Sequence, residues 1–439
     1  MAKFFFILAA LCAVNTFHLA SANVSGPAVF CYYDSRSYLR ETQAKMLPSD
    51  MDPALSFCTH LVYGYAGLDA ATNKMVSLNP KLDLDQGHAN FRVVTQLKKK
   101  FPTMKVLLSV GGGADLELED SYKYNTVLET PESRAVFINS ASVILKNYGF
   151  DGLDLAWQFP TLKPKKIRGK ISSLWHGFKK LFKTRPVDEH AEEHKEQFGK
   201  FVQEMKNALR HDNMILTASV LPNINSSLYF DIHAIMSHID YAILHGYDYM
   251  TPKRNPKEAD YTSPLYELLE RNPEFNINFL TSYWLKNGFP IQKLILAIPT
   301  FGRAWKLDSD SAISGVPPLH TDGPAPEGPY TKHEGLLSYP EICTKLNNPA
   351  NQKGLHTYLR KVTDPSKRYG TYAFRAPDDN GDNGLWVSYE DSDTAANKVG
   401  YIKAKGLAGV AIVDLSLDDF RGLCSGDKYP ILRSAKYRL

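Results

Sequence analysis

Apolar residues along the chain recur with two periods. Eight short runs rich in β-branched and aromatic residues, at 28–34, 58–65, 105–112, 149–157, 214–220, 239–248, 294–300 and 407–414, read as strands. Between them, stretches such as 88–101 and 194–211 place apolar residues at three- and four-residue steps, which is one face of a helix. Strands alternating with helices imply βαβ units, and eight such strands are the number in an α/β fold of the (β/α)8 TIM-barrel type. The gap before the last run is far longer than one helix needs and carries several short β-like pieces with Leu337-Ser338-Tyr339-Pro340-Glu341-Ile342. A small α+β insertion domain is therefore expected over 306–384, between strands seven and eight, leaving 23–305 and 385–439 for the barrel.

The run around Phe150–Pro160 concentrates the chemistry. A two-residue period puts Leu153 and Leu155 on one face and Gly152, Asp154, Ala156 and Gln158 on the other. Pro160 has no N–H to donate and ends the pairing, so polar side chains emerge where the strand stops. In barrels of this kind the strand ends form the site. The third run ends in Ser109-Val110-Gly111-Gly112-Gly113, the sixth in His245-Gly246-Tyr247-Asp248, and Pro299-Thr300-Phe301-Gly302-Arg303-Ala304-Trp305 follows the seventh. A lone histidine at a strand end is read as a hydrogen-bonded packing residue, and no metal or cofactor is expected.

Composition narrows the setting. Lys3, the apolar run Phe4–Val14 and Ala20-Ser21-Ala22 form a signal peptide with cleavage expected after Ala22, so secretion is expected. No other stretch is long and apolar enough to span a bilayer. The formal charge of +4 is too mild for general nucleic-acid binding. Cys31, Cys58, Cys343 and Cys424 remain after the leader, and in a secreted chain they read as two disulfides with three pairings open. Asn225-Ser226-Ser227 is a glycosylation sequon in a loop after the fifth run.

The strand-four stretch, D-G-L-D-L-A-W-Q-F-P, resembles the signature D-G-x-D-x-D-W-E-Y-P of glycoside hydrolase family 18, the chitinases and their relatives. Ser109–Gly112 is similar to that family's S-x-G-G, Tyr247-Asp248 to the end of its M-x-Y-D, and Pro299–Arg303 to its P-x-Y-G-R. The resemblance implies a proton donor at position 158 and a carboxylate at 156 that holds the substrate's N-acetyl group. Here Gln158 and Ala156 stand at those places, so the site formed by Asp151, Asp154, Ala156 and Gln158 is degenerate. An amide has no proton to give at neutral pH, and general acid catalysis is worth roughly 10²–10⁴ in rate, so hydrolysis by this route is not expected. The tryptophan that floors the central sugar in active relatives falls on Val413, which has no flat face for a ring. Trp157, Tyr247, Asp248, Arg303 and Trp305 are the candidates for flanking glycan subsites, with core packing an equal reading of the aromatics and bracing of the loop the favoured role of Arg303. The resemblance also favours Cys31 with Cys58 and Cys343 with Cys424.

Residues 161–186 hold nine Lys/Arg and no acid, including Lys163, Lys165, Lys166, Lys179 and Lys180. Within them Ile171, Leu174, Trp175, Phe178, Leu181 and Phe182 recur at helical spacing, the pattern of a lid that covers the barrel top with its lysines in solvent. This insert, A-W-Q-F-P and the ending D-K-Y-P-I-L-R-x-x-K-Y-R-L resemble the insect imaginal disc growth factors, chitinase-like proteins without hydrolase activity. That resemblance implies a monomeric extracellular growth factor cooperating with insulin signalling. A cell-surface receptor or sulfated glycan would be its partner at the basic insert, and a chitooligosaccharide its ligand at the cleft. The rival expectation is a chitin- or glycan-binding lectin of cuticle or matrix.

Overall fold

Each of the eight runs holds a parallel strand of a closed barrel, the second strand continuing four residues past its run. The computed structural model describes residues 26–115, 122–161, 188–346, 358–377 and 383–439. Its barrel strands, one to eight, are Ala28–Asp34, His60–Asp69, Lys105–Gly111, Gly152–Ala156, Ile215–Val220, Tyr241–Leu244, Leu294–Pro299 and Gly409–Val413. Strand one pairs with strand eight, Ala28 opposite Gly409, and with strand two, Phe30 opposite His60, so the ring has no edge among these strands. The sixth strand is shorter than its run, and residues 245–248 leave it as a loop at the mouth.

Alternation divides the core in two. Leu153 and Leu155 point outward into the larger core between barrel and helices, while Phe30, Tyr32, Val62, Leu107, Ile243, Ile295 and Ala411 fill the barrel. Burying each large apolar side chain stabilises the fold by about 1.5–3 kcal/mol. The helix Ala191–Arg210 follows the expected spacing and buries Phe198, Phe201, Val202, Met205 and Leu209. The helix Pro131–Tyr148 begins at Thr130, whose hydroxyl accepts from the Ser133 N–H at 3.1 Å, with Pro131 in the first turn where no donor is needed.

Between strands seven and eight lies an antiparallel sheet of Phe301–Lys306, Leu336–Ser338, Arg360–Thr363, Thr371–Arg375 and Leu385–Tyr389, with the helix Tyr339–Leu346 beside it. The sheet thus begins and ends a few residues outside the expected 306–384, because its first and last strands, which leave and re-enter the barrel, pair with each other, Gly302 opposite Tyr389. Disulfides join Cys31 to Cys58 and Cys343 to Cys424. The second ties the insertion's helix to the segment after strand eight. The C-terminal residues form a helix, Pro430–Arg438, that buries Ile431, Leu432 and Ala435. Among the described residues no helix is long and apolar enough to cross a membrane. The leader and Lys163, Lys165, Lys166, Lys179 and Lys180 of the basic insert lie outside the described residues.

Candidate functional site at the barrel mouth

The inward face of strand four meets hydroxyls from three other strands, one, three and five, at one carboxylate. Asp154 Oδ1 accepts from Thr217 Oγ1 at 2.6 Å and Ser219 Oγ at 3.0 Å, and Oδ2 accepts from Ser109 Oγ at 2.7 Å and Tyr32 OH at 3.2 Å. The side chain is fully buried, and burial raises its pKa while the hydroxyls pull it back. Its acceptor capacity is spent on the barrel itself.

One turn of chain higher the backbone closes tightly. Gly111 has φ 99°, and a Cβ there would sit 2.2 Å from the Ala156 carbonyl oxygen; Gly112, at φ 60°, would press one into the Tyr65 ring. Only glycine fits both positions. The Gly112 carbonyl then accepts a short hydrogen bond from Gln158 Nε2. Gln158 is 2% exposed and Ala156 1%, so at the end of strand four the chain presents a buried amide turned to the backbone.

Asp151 does not belong to this site. It lies before the strand, accepts from the Val106 N–H at 2.8 Å and pairs with Lys98 at 3.1 Å, roughly 17 Å from the mouth by strand rise. Of the two readings of Trp157 and Trp305, subsite or core, both side chains lie in the core. Trp157 has the parity of Leu153 and Leu155 and is buried outside the barrel against Tyr124, Phe137 and Phe201. Trp305 is buried in the insertion beside Trp386, with Nε1 donating to the Asn255 carbonyl at 2.9 Å.

Three of the expected residues do meet at the mouth. Tyr247 stands edge-on to Phe301, and its hydroxyl is 2.6 Å from His245 Nδ1. Arg303 grips Asp248 in a two-point pair, Nε to Oδ1 at 2.8 Å and Nη2 to Oδ2 at 2.6 Å, and lies over the Phe301 ring. The guanidinium therefore holds both oxygens of the Asp248 carboxylate. Val413, 8% exposed, lies with Tyr247 and Phe301 in the inner cluster and offers no flat face.

His245 is a packing residue with a pH signature. Burial pushes its pKa down to about 3 from the ordinary 6.5. The unfolded histidine binds a proton in that window and the folded one does not, so this group's contribution makes stability fall as pH drops from 6.5 toward 3. The His245→Gln variant is expected to show a shallower decline than the parent, by about one proton at most. Denaturant unfolding of both proteins across that range measures it; identical slopes would place the proton elsewhere.

Sequence reading overlooked the end of strand one and the point in strand two where its pairing with strand one stops. Asp34, paired with Arg36 at 2.6 Å, and Tyr65 both stand at the mouth, as does Asp414 just after strand eight. Burial and the nearby Asp34 charge push Asp414 up to about 6, and its Oδ1 is held by the Ser416 N–H at 2.6 Å. Reading all eight strand ends, rather than only those with a motif, would have found them. Among the described residues no three His, Cys, Asp or Glu side chains converge on a point that could hold a metal.

A closed eight-stranded barrel with strand four delivering Asp154, Ala156 and Gln158 defines a chitinase-type architecture, and the pattern of the glycosyl hydrolases family 18 matches residues 28–418. The chain belongs to that family. Catalytic domain 2 of the Group II chitinase of Ostrinia furnacalis, solved as a mutant in complex with penta-N-acetylchitooctaose, superposes with a TM-score of 0.77 at 28% identity, over 94% of this chain and 96% of that one. Within the family the chain resembles insect chitinase-like proteins along nearly its whole length. Chitinase-like protein EN03 of Bombyx mori is 60% identical over 95% of this chain and 96% of its own. Imaginal disk growth factor 6 of Drosophila melanogaster is 52% identical over 93% and 92%.

Proposed function

We propose that this chain is a secreted, catalytically inactive chitinase-like protein that acts as an extracellular growth or proliferation factor alongside insulin signalling. The observation that carries inactivity is Gln158: an amide at the family's acid position, bound to the Gly112 carbonyl, next to Ala156. Asp414 has a pKa of about 6 but is 7% exposed and held by Ser416, so it is no ready replacement. The growth role rests on similarity to proteins such as imaginal disk growth factor 6. Secretion is supported by the apolar leader and the disulfides, and a receptor or sulfated glycan would meet the lysines of 161–186. Asn225, half-buried at the start of a short helix, is the proposed glycan carrier.

A second reading, a chitooligosaccharide-binding lectin, is favoured by Phe301 and Tyr65, which are partly open at the mouth and can stack on sugar rings. The test pairs two assays on the purified secreted protein. Release of fluorophore from a chitotrioside between acid and neutral pH is expected to lie at least about 10³ below an active family member, and turnover within tenfold of it would overturn inactivity. Addition to insect cells with insulin is expected to raise proliferation; no response, together with saturable chitooligosaccharide binding, would select the lectin.

A further inference from the structure

We propose that a cavity behind the mouth, between the loop after strand five and the helix Ile277–Lys286, binds a compact neutral molecule consisting of one apolar ring that carries a hydroxyl group. The cavity measures about 190 Å³. That is somewhat more than the roughly 150 Å³ that accommodates benzene in an engineered core.

Three residues lining it each carry a buried polar atom without a partner: His245 Nε2, Tyr249 OH and Asn223 Oδ1. Their other polar atoms are engaged or absent. His245 Nδ1 is 2.6 Å from the Tyr247 hydroxyl. Asn223 Nδ2 donates to the Asp248 carbonyl at 2.8 Å, which sets the amide so that Oδ1 is the acceptor left over. Tyr249 is held by stacking on Phe275, ring centres 5.8 Å apart. Buried polar atoms are nearly always satisfied, and three orphans around one cavity mark a place built to be completed.

Their chemistry selects the ligand. Asn223 Oδ1 can only accept, so the ligand must donate; the Tyr249 hydroxyl can donate, so the ligand group should also accept. A hydroxyl does both, and with His245 Nδ1 accepting from the Tyr247 hydroxyl, Nε2–H becomes a second donor to the ligand oxygen. Charge is disfavoured: burial keeps His245 neutral, and the carboxylate of Glu274 at the rim repels anions. The rest of the lining, with Phe275, Phe279 and Tyr283 half-buried or exposed toward solvent, suits a flat apolar body entering from outside. Because His245 lies edge-on to Tyr32 inside the barrel, occupancy would be felt at the mouth through the His245–Tyr247 pair.

The test is calorimetric titration of the full secreted protein with p-cresol and with toluene, which has the same body and no hydroxyl. Saturable submillimolar binding of p-cresol is expected, with toluene weaker by about tenfold. Tyr249→Phe, which keeps the ring, should bring p-cresol close to toluene, and Leu280→Trp, which fills the entrance, should abolish both. Absence of p-cresol binding at millimolar concentration would mean that water alone completes the cavity and would overturn the proposal. Equal affinity for the two probes, or p-cresol binding unchanged in both variants, would overturn it as well.

Discussion

Asp154→Ala is expected to lower the stability of the protein by about 3–5 kcal/mol, the largest loss from any single side chain at the mouth. Deleting the carboxylate leaves the hydroxyls of Tyr32, Ser109, Thr217 and Ser219 facing one another in a fully buried space. Relief from desolvating the carboxylate offsets part of this, since burial already raises the pKa of Asp154. Asp154→Asn, which keeps shape and one acceptor, should cost only about 1–2 kcal/mol. The raised pKa also sets a sign. A folded carboxyl that holds its proton more tightly than the unfolded one makes stability fall as pH rises above the ordinary aspartate value, and asparagine lacks this dependence. The gap between parent and Asp154→Asn should therefore narrow as pH rises from acid to neutral. Urea unfolding followed by tryptophan fluorescence measures both effects. A loss below about 1 kcal/mol for the alanine variant would mean that the hydroxyls satisfy each other without the carboxylate.

Breaking the Cys343–Cys424 bridge by double replacement with serine is expected to cost about 4.5 kcal/mol. The bridge spans 81 residues, so the unfolded chain regains much loop entropy when it is cut. Cys343 is also 2% exposed at the base of the insertion's helix, where a serine hydroxyl replaces an apolar sulfur. The Cys31–Cys58 bridge spans 27 residues and should contribute somewhat less, about 3.5 kcal/mol. Denaturant midpoints of the two double variants under non-reducing conditions check the order. If cutting the shorter bridge proved the more damaging, native contacts rather than chain entropy would govern the cross-links.

Particular residues show how far sequence reading reaches. Leu153 and Leu155 declare an outward face because a strand alternates with period two whatever surrounds it, and the same parity sends Trp157 outward with them. Counting Trp157 as a subsite candidate weighed residue type above register. Asp151 shared a motif with Asp154 but not an end of the strand, and distance along a strand is local arithmetic that the pattern already contained. Trp305 differs in kind. Its burial depends on Asn255 and Trp386, which are brought to it only when the inserted sheet folds over it.

The amino-acid pattern by itself determined the eight-stranded barrel and the insertion before strand eight, because periodicity and loop length are local properties of the chain. Tertiary structure alone decided that Asp154 is saturated by four hydroxyls from three strands, that Arg303 occupies Asp248 and that His245, Tyr249 and Asn223 share a cavity. Those contacts join residues far apart in sequence, and their geometry exists only once the barrel has closed and its strand ends have been brought to one rim.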